Sequence, residues 1–436
     1  DCPGAPPSCG VPPPSRHRGA RAPARASAAD GTAAALPEPP GPWALPFLGA
    51  PRVLWALLTR RPLAELLAEL RAEYGPVLAF RAGPTCQVWV GDPAALRRVY
   101  ELPECSGRPV SFEDPFGNFL FLTREPEKAA PIRERQKAWI EANLRSEEVQ
   151  QAVAASMSGL WPLLDAEGAQ PWPAAAVKTA MYSAVTSAFL GTEGLMSGSE
   201  LEEFMVATKE YSEMRVKGKF GQKGGEDLGL PPGAAKIREV LGAALARAGR
   251  EDAEDAMPLI VAATIGGAEI FPTLLHWIAL YFAREPQRQE EAAKAAAAGD
   301  AEALMRELYA VLRRTAYSVA LGPPRKILAE ASVDGFRLPE GALLFAMHPA
   351  IADEALGREP PPDEKFEEYA FGVGPRSCLG RPLAEALLPA AVGEILRRYR
   401  LEPGPGGAAA PRGELRGQLI HPLDPPQLHW RRREGS

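Results

Sequence analysis

The residue best placed for chemistry is Cys378. It ends the loop Phe371-Gly372-Val373-Gly374-Pro375-Arg376-Ser377-Cys378-Leu379-Gly380, just before a helical pattern over 381–400. Gly372 and Gly374 permit backbone angles closed to bulkier residues, so the chain can curl under a sulfur and aim amides at it. Those amides and the helix start both favour a thiolate. An iron porphyrin takes such a thiolate as axial ligand, and the donated electron density helps cleave an O–O bond. On this reading Cys378 ligates the iron of a haem b, and Phe371 shields the sulfur. Arg376 pairs with a propionate, while Gly374 and Gly380 give the loop and the helix room near the ring. The bland alternative is a buried structural cysteine after a Gly-rich turn.

The loop matches the pattern F-x-x-G-x-R-x-C-x-G at every defined position, and Ala384 continues it. In this it resembles the cytochrome P-450 superfamily. Pro39-Pro40-Gly41-Pro42, Tyr74-Gly75-Pro76 and the hairpin at 335–341 fall in the order that superfamily shows, so the resemblance runs from about 37 to 430. It implies a mainly α fold with a small β-rich part, the cytochrome P-450 fold, over residues 37–436. It also implies that Arg325, after Pro323-Pro324, is a second propionate-binding arginine; a solvated surface arginine is the other reading. Two features depart from the pattern. The ExxR pair falls on Ala310 and Arg313, so its glutamate is missing, with Glu307 one turn earlier as a candidate substitute. The segment between His348 and Phe371 is short.

A second constellation is Thr264-Ile265-Gly266-Gly267-Ala268-Glu269-Ile270-Phe271-Pro272. Oxygen activation needs an acid followed by a hydroxyl to relay protons. Glu269 supplies the acid, but Ile270 stands where the hydroxyl belongs and cannot donate a proton. The Gly-Gly pair followed by Ile-Phe-Pro resembles the fatty-acid hydroperoxide branch: allene oxide synthases, hydroperoxide lyases, divinyl ether synthases and epoxyalcohol synthases. Weaker similarities are Arg124–Lys128, before a basic helix lacking the usual WxxxR tryptophan, and the run from Met347 to Ala352. Ala263 replaces that branch's asparagine, with Thr264 beside it, and the cysteine loop has no insertion.

The resemblance implies rearrangement or cleavage of a polyunsaturated fatty-acid hydroperoxide at haem, without O2 or a reductase. Gly266, Gly267, Glu269, Ile270 and Thr264 would then line the reaction site. The alternatives are an O2- and reductase-dependent monooxygenase of a lipid or isoprenoid, and a non-catalytic haem-binding protein. A helix kinked by Pro272 and thinned by glycines for packing is the plain structural reading of the motif. Phe112, Phe116, Phe119 and Phe121 are candidates for an acyl channel, with core packing as their commoner use.

The elements that must position these residues follow from periodicity and punctuation. A helix is expected over 52–73, stopped by Tyr74-Gly75-Pro76, and strands over 77–81 and 86–90 around Gly83-Pro84. Asp92-Pro93 opens another helix. Helices dominate from about 125 to 315, with a Gly- and Lys-rich loop near 216–233. The apolar run Leu259–Phe282 contains Glu269, Pro272 and His276, and reads as a buried central helix rather than a bilayer span. Short strands and turns return from 322 to 375, before a last helix over 381–400.

Composition narrows the classes. The 436 residues are 46% hydrophobic with a formal net charge of −6, which disfavours a nucleic-acid partner. Five cysteines in no disulfide framework fit a reducing compartment, and five histidines show no zinc spacing. Residues 1–36 are rich in Ala and Pro, carry Arg16, Arg18, Arg21 and Arg25, and have Asp1 and Asp30 as their acids. They read as a disordered transit segment, which implies a plastid protein, soluble or peripherally attached to a membrane, acting on a lipid-like small molecule. The chain opens on Asp1 rather than Met and is read as a piece of a longer precursor.

Overall fold

The rigid Pro39-Pro40-Gly41-Pro42 entry lies along strand β1 (Val77–Ala82). The Ala79 N–H donates to Pro40 O at 2.9 Å, and a Cβ on Gly41 would fall 1.6 Å from Ala79 O, so only glycine fits there. The computed structural model describes residues 36–433 except 46, 60, 62, 84, 109–115, 118, 121–125, 167, 192–194, 217–231, 269, 315–323, 348–370, 406–411, 417–418, 424 and 426. Residues 1–36 and 37–436 are separate units, and the second carries the fold. The transit segment expected over 1–36 lies, Leu36 apart, outside the described residues.

The first helical region is two helices, α1 (Pro51–Leu58) and α2 (Leu63–Tyr74), where one was expected over 52–73. Pro62 lies between them, and a proline cannot donate to the preceding turn and crowds it. Strand β2 (Thr85–Val90) returns antiparallel to β1 about the expected turn. Helix α3 (Pro93–Glu101) starts as read: Asp92 accepts from Ala95 N–H at 2.7 Å, and Pro93 occupies the first turn.

The helical body comprises α4 (Pro126–Asn143), α5 (Ser146–Met157), α6 (Trp161–Leu164), α7 (Ala174–Leu190), α8 (Gly198–Val216) and α9 (Pro232–Arg247). It continues with α10 (Ala253–Ala263), α11 (Ile270–Arg284), α12 (Pro286–Ala297) and α13 (Ala301–Arg314). The last helix, α14, spans Arg381–Arg398. The loop expected near 216–233 lies outside the described residues but for its edges. The run Leu259–Phe282 is mostly buried, as a core helix should be, although it is long and apolar enough to cross a membrane.

That central run is not one continuous α-helix. Between α10 and α11, Thr264–Ala268 form a π-helical turn. Pro272 has no N–H for the carbonyl of Ala268 four residues back, and Gly266-Gly267 lowers the cost of leaving α geometry. The main core draws on α5 and α7 to α14 and includes this irregular turn, which packs against α7, α8, α10 and α11.

The β-regions hold the loops against the helices. The four-stranded sheet has order β1-β2-β7-β4, where β4 is Arg325–Lys326 and β7 is Leu343–Ala346; β2 and β7 run parallel, with Gln87 opposite Leu343. The three-stranded sheet is β3-β11-β8, with β3 Ala169–Gln170, β8 Tyr399–Pro403 and β11 Leu428–Arg432. Strands β9 (Arg412–Arg416) and β10 (Leu419–Leu423) pair alone. The expected hairpin at 335–341 starts earlier: β5 (Ala331–Val333) and β6 (Phe336–Leu338) flank Asp334-Gly335, both at positive φ.

Candidate active site

The cysteine loop is built as its glycines require. Gly372 and Gly374 have φ of 67° and 71°, and a Cβ on Gly374 would lie 2.4 Å from the carbonyl oxygen of Tyr100 on α3. A side chain there would push the loop off the scaffold. Within the loop Cys378 N–H donates to Phe371 O at 2.7 Å and Ser377 N–H to Gly374 O at 3.0 Å, closing a compact turn before α14.

Cys378 is deeply set yet accessible: protein surrounds the sulfur closely enough for burial to oppose its charge, while its side chain is exposed. The two observations agree if the sulfur faces a space inside the protein. Burial pushes the thiol above its ordinary value; the backbone N–H groups of Gly380 and Arg381 and the charge of Arg133 act the other way. The expected amides are therefore present but do not by themselves win. A metal cation would reverse that balance.

Guanidinium groups gather around the loop. Arg325 is 3% exposed; it donates to Tyr100 O at 2.7 Å and to Val373 O at 3.0 Å, and its Cζ lies 3.5 Å from the Tyr100 ring centroid. The reading of Arg325 as a solvated surface residue is therefore wrong. Burial pushes its pKa down to about 10, with the charges of Arg376 and Arg133 acting in the same direction. Buried Arg376 donates from Nε to Ser106 O at 3.0 Å. Arg133 on α4 donates to Ser377 O at 2.6 Å and Ser377 Oγ at 2.8 Å.

This donor set fits a haem. A lone cysteine sulfur with backbone amides directed at it suits a metal whose other donors come from a bound group. Neighbouring guanidiniums suit that group's two carboxylates. Arg133 and Tyr100 escaped sequence reasoning because they come from helices far from the loop along the chain. Nothing in their local spacing marks them.

The other predicted residues separate. Gly380 has ordinary backbone angles, and a Cβ on it would lie 3.6 Å from the Cys378 sulfur; it acts through its amide, which faces that sulfur. Half-buried Phe371 packs on the main core. On the π turn a Cβ on Gly266 would meet nothing within 4 Å, whereas one on Gly267 would lie 2.9 Å from Phe271 Cε2. Gly266 thus borders open space and Gly267 is covered. Thr264 is fully buried, its hydroxyl 2.9 Å from Ile260 O and 3.0 Å from Val261 O, so it donates into its own helix. Ile270 is partly buried against the core, and Glu269 lies outside the described residues.

Two further expectations meet the structure. Glu307, the candidate substitute for the missing ExxR glutamate, pairs with Arg288 on α12 at 2.9 Å. Phe116 and Phe119 are core residues packed edge-on or tilted against Tyr211, rather than channel walls; Phe112 and Phe121 lie outside the described residues.

Comparison with known proteins agrees with this geometry. The sequence model of the family described as Cytochrome P450 matches residues 359–429. A 20-oxo-5-O-mycaminosyltylactone 23-monooxygenase of Streptomyces fradiae is 27% identical over 212 residues, covering 46% of this chain and 45% of the relative. A steroid 21-hydroxylase of Sus scrofa is 26% identical, covering 43% and 44%. The chain thus matches less than half the length of these relatives. A solved zebra fish cytochrome P450 structure with abiraterone superposes with a TM-score of 0.64 at 19% identity, over 86% of this chain and all of that one.

Proposed function

From a chain with the cytochrome P450 fold and that family's cysteine loop, we propose a haem-thiolate enzyme. Its substrate on this reading is lipid-like and brings its own O–O bond, as a polyunsaturated fatty-acid hydroperoxide does. Cys378 would ligate the iron, and Arg325, Arg376 and Arg133 would hold the carboxylates of the haem. When bound, the group supplies cleavage of an O–O bond, promoted by the thiolate.

The observation that carries the finer reading is the chemistry of the central turn. Ile270 is apolar, and Thr264 directs its proton to carbonyls of its own helix. Neither residue moves a proton toward a bound oxygen molecule, so a substrate already in the peroxide oxidation state removes the need for a relay. Gly266 leaves the space beside the turn open, which would admit the peroxide-bearing part of such a substrate, while the Phe271 ring covers the neighbouring Gly267. The Gly380 and Arg381 amides favour negative charge on the sulfur, against the burial that opposes it.

The test is turnover of a fatty-acid hydroperoxide by the ferric protein in anaerobic buffer without NAD(P)H or reductase, with product analysis. Consumption of the hydroperoxide under those conditions is expected. A second reading, an O2-dependent monooxygenase of a lipid or isoprenoid, is favoured by the names of the macrolide 23-monooxygenase and steroid 21-hydroxylase relatives. Strict dependence on O2 and a reductase, with no consumption of hydroperoxide, would select it. Haem binding with neither activity would select the non-catalytic reading.

A further inference from the structure

The resemblance places an acid at position 310, where this chain has Ala310. The polar link from α13 to the cysteine-bearing helix is made elsewhere. Tyr309 Oη donates to Glu385 Oε1 at 2.7 Å, and Arg381 Nε donates to the same oxygen at 2.8 Å. Arg381 opens α14, and its backbone N–H is one of the two that face the Cys378 sulfur. Its guanidinium Cζ lies 5.7 Å from the ring centroid of Phe371, the residue whose carbonyl takes the Cys378 N–H. One carboxylate oxygen therefore ties α13 to Arg381 at the end of the loop, and the Arg381 guanidinium lies near Phe371 at its start.

We propose that Glu385 is a positioning residue that holds the cysteine loop in the geometry for iron ligation. Tyr309 and Arg381 grip its carboxylate from two helices. The proposal rests on the reading of Cys378 as the iron ligand. A half-exposed ion pair four residues apart on one helix contributes little to stability, so its loss should show in the placement of the loop before the survival of the fold. Two donors converging on one oxygen, one of them from a neighbouring helix, is what separates Glu385 from an ordinary surface pair. The Glu302–Arg306 pair on α13 is of the ordinary kind: 3.0 Å and well exposed on both sides.

The experiment compares the full chain with Glu385→Leu, Glu385→Gln, Tyr309→Phe and, as control, Glu302→Leu, each loaded with haem. It measures the rate of haem loss to an excess acceptor protein, the absorption of the ferrous carbonyl complex, and the melting midpoint. Glu385→Leu is expected to lose haem roughly tenfold faster. It should also move part of its carbonyl complex from the thiolate position to the non-thiolate one, with little change in melting. Tyr309→Phe, nearly isosteric, should show a smaller change of the same kind. Glu385→Gln, which keeps an accepting oxygen, should retain most of the thiolate form, and the control should match the parent. Haem retention and spectra unchanged in Glu385→Leu, or changed equally in the control, would overturn the proposal. A parent protein that lacks a thiolate-type carbonyl complex would instead overturn the haem-thiolate reading on which it rests.

Discussion

Cys378 sits where burial and charge oppose each other. Two amides and Arg133 favour its thiolate, and desolvation disfavours it more. The Cys378→Ala variant is therefore expected to lose the thiolate-type ferrous carbonyl spectrum altogether. Cys105→Ala should keep it, since burial and the charge of Glu104 push that thiol up to about 11. Retention of the thiolate spectrum in Cys378→Ala would refute the ligand assignment. His276 makes a second prediction. Burial pushes its pKa down to about 3, helped by the charge of His421, whereas the unfolded chain titrates near 6.5. Between those values the unfolded state takes up a proton that the native state refuses. Stability should therefore fall as pH drops from about 6.5 toward 3, by up to about 1.4 kcal/mol per unit from this residue. The His276→Phe variant keeps an aromatic ring against Trp172, whose centroid is 4.9 Å away, and should flatten that slope in denaturant titrations across the window. An unchanged slope would assign acid sensitivity to other groups. The cysteine loop was legible because its working residues are consecutive in the chain. Arg133, Tyr100 and Glu385 were not, because only folding brings them to it.

The central element shows what glycines and a proline can and cannot announce. Gly266, Gly267 and Pro272 marked an irregular helix, but which glycine borders open space depends on the Phe271 ring, and a one-dimensional pattern does not carry that. Gly267→Val places atoms into that ring and is expected to destabilise the protein by roughly 1–3 kcal/mol in urea unfolding. Gly266→Val meets open space. It should leave stability within about 1 kcal/mol, since helix propensity is then the main term, yet weaken the spectral shift on adding hydroperoxide. Equal stability losses at both sites would mean that the turn does not hold this geometry in solution. The cap of α3 was read correctly because Asp92-Pro93 is a local signal. The break between α1 and α2 is not legible in the same way, because apolar periodicity continues across Pro62.

At the scale of the whole molecule, the helical body and small β-regions followed from periodicity, but the pairing of distant strands did not, since alternation within a strand names no partner. The composition of residues 1–36 leads to a prediction: their removal should leave haem content and melting midpoint unchanged, and fusing them to a fluorescent protein should direct it to plastids. Loss of haem on truncation, or a cytosolic fusion, would contradict the transit reading. The parallel pairing of β2 with β7 has its own consequence. Gln87 finds Leu343 only after most of the chain has been made, so at about 5–20 residues per second the β1–β2 hairpin waits on the order of tens of seconds with one edge unpaired. During that interval a second nascent chain on the same messenger can offer the same edge. Yield in a cell should therefore depend on translation speed and on chaperones that shield strand edges, even where the finished protein is fully stable.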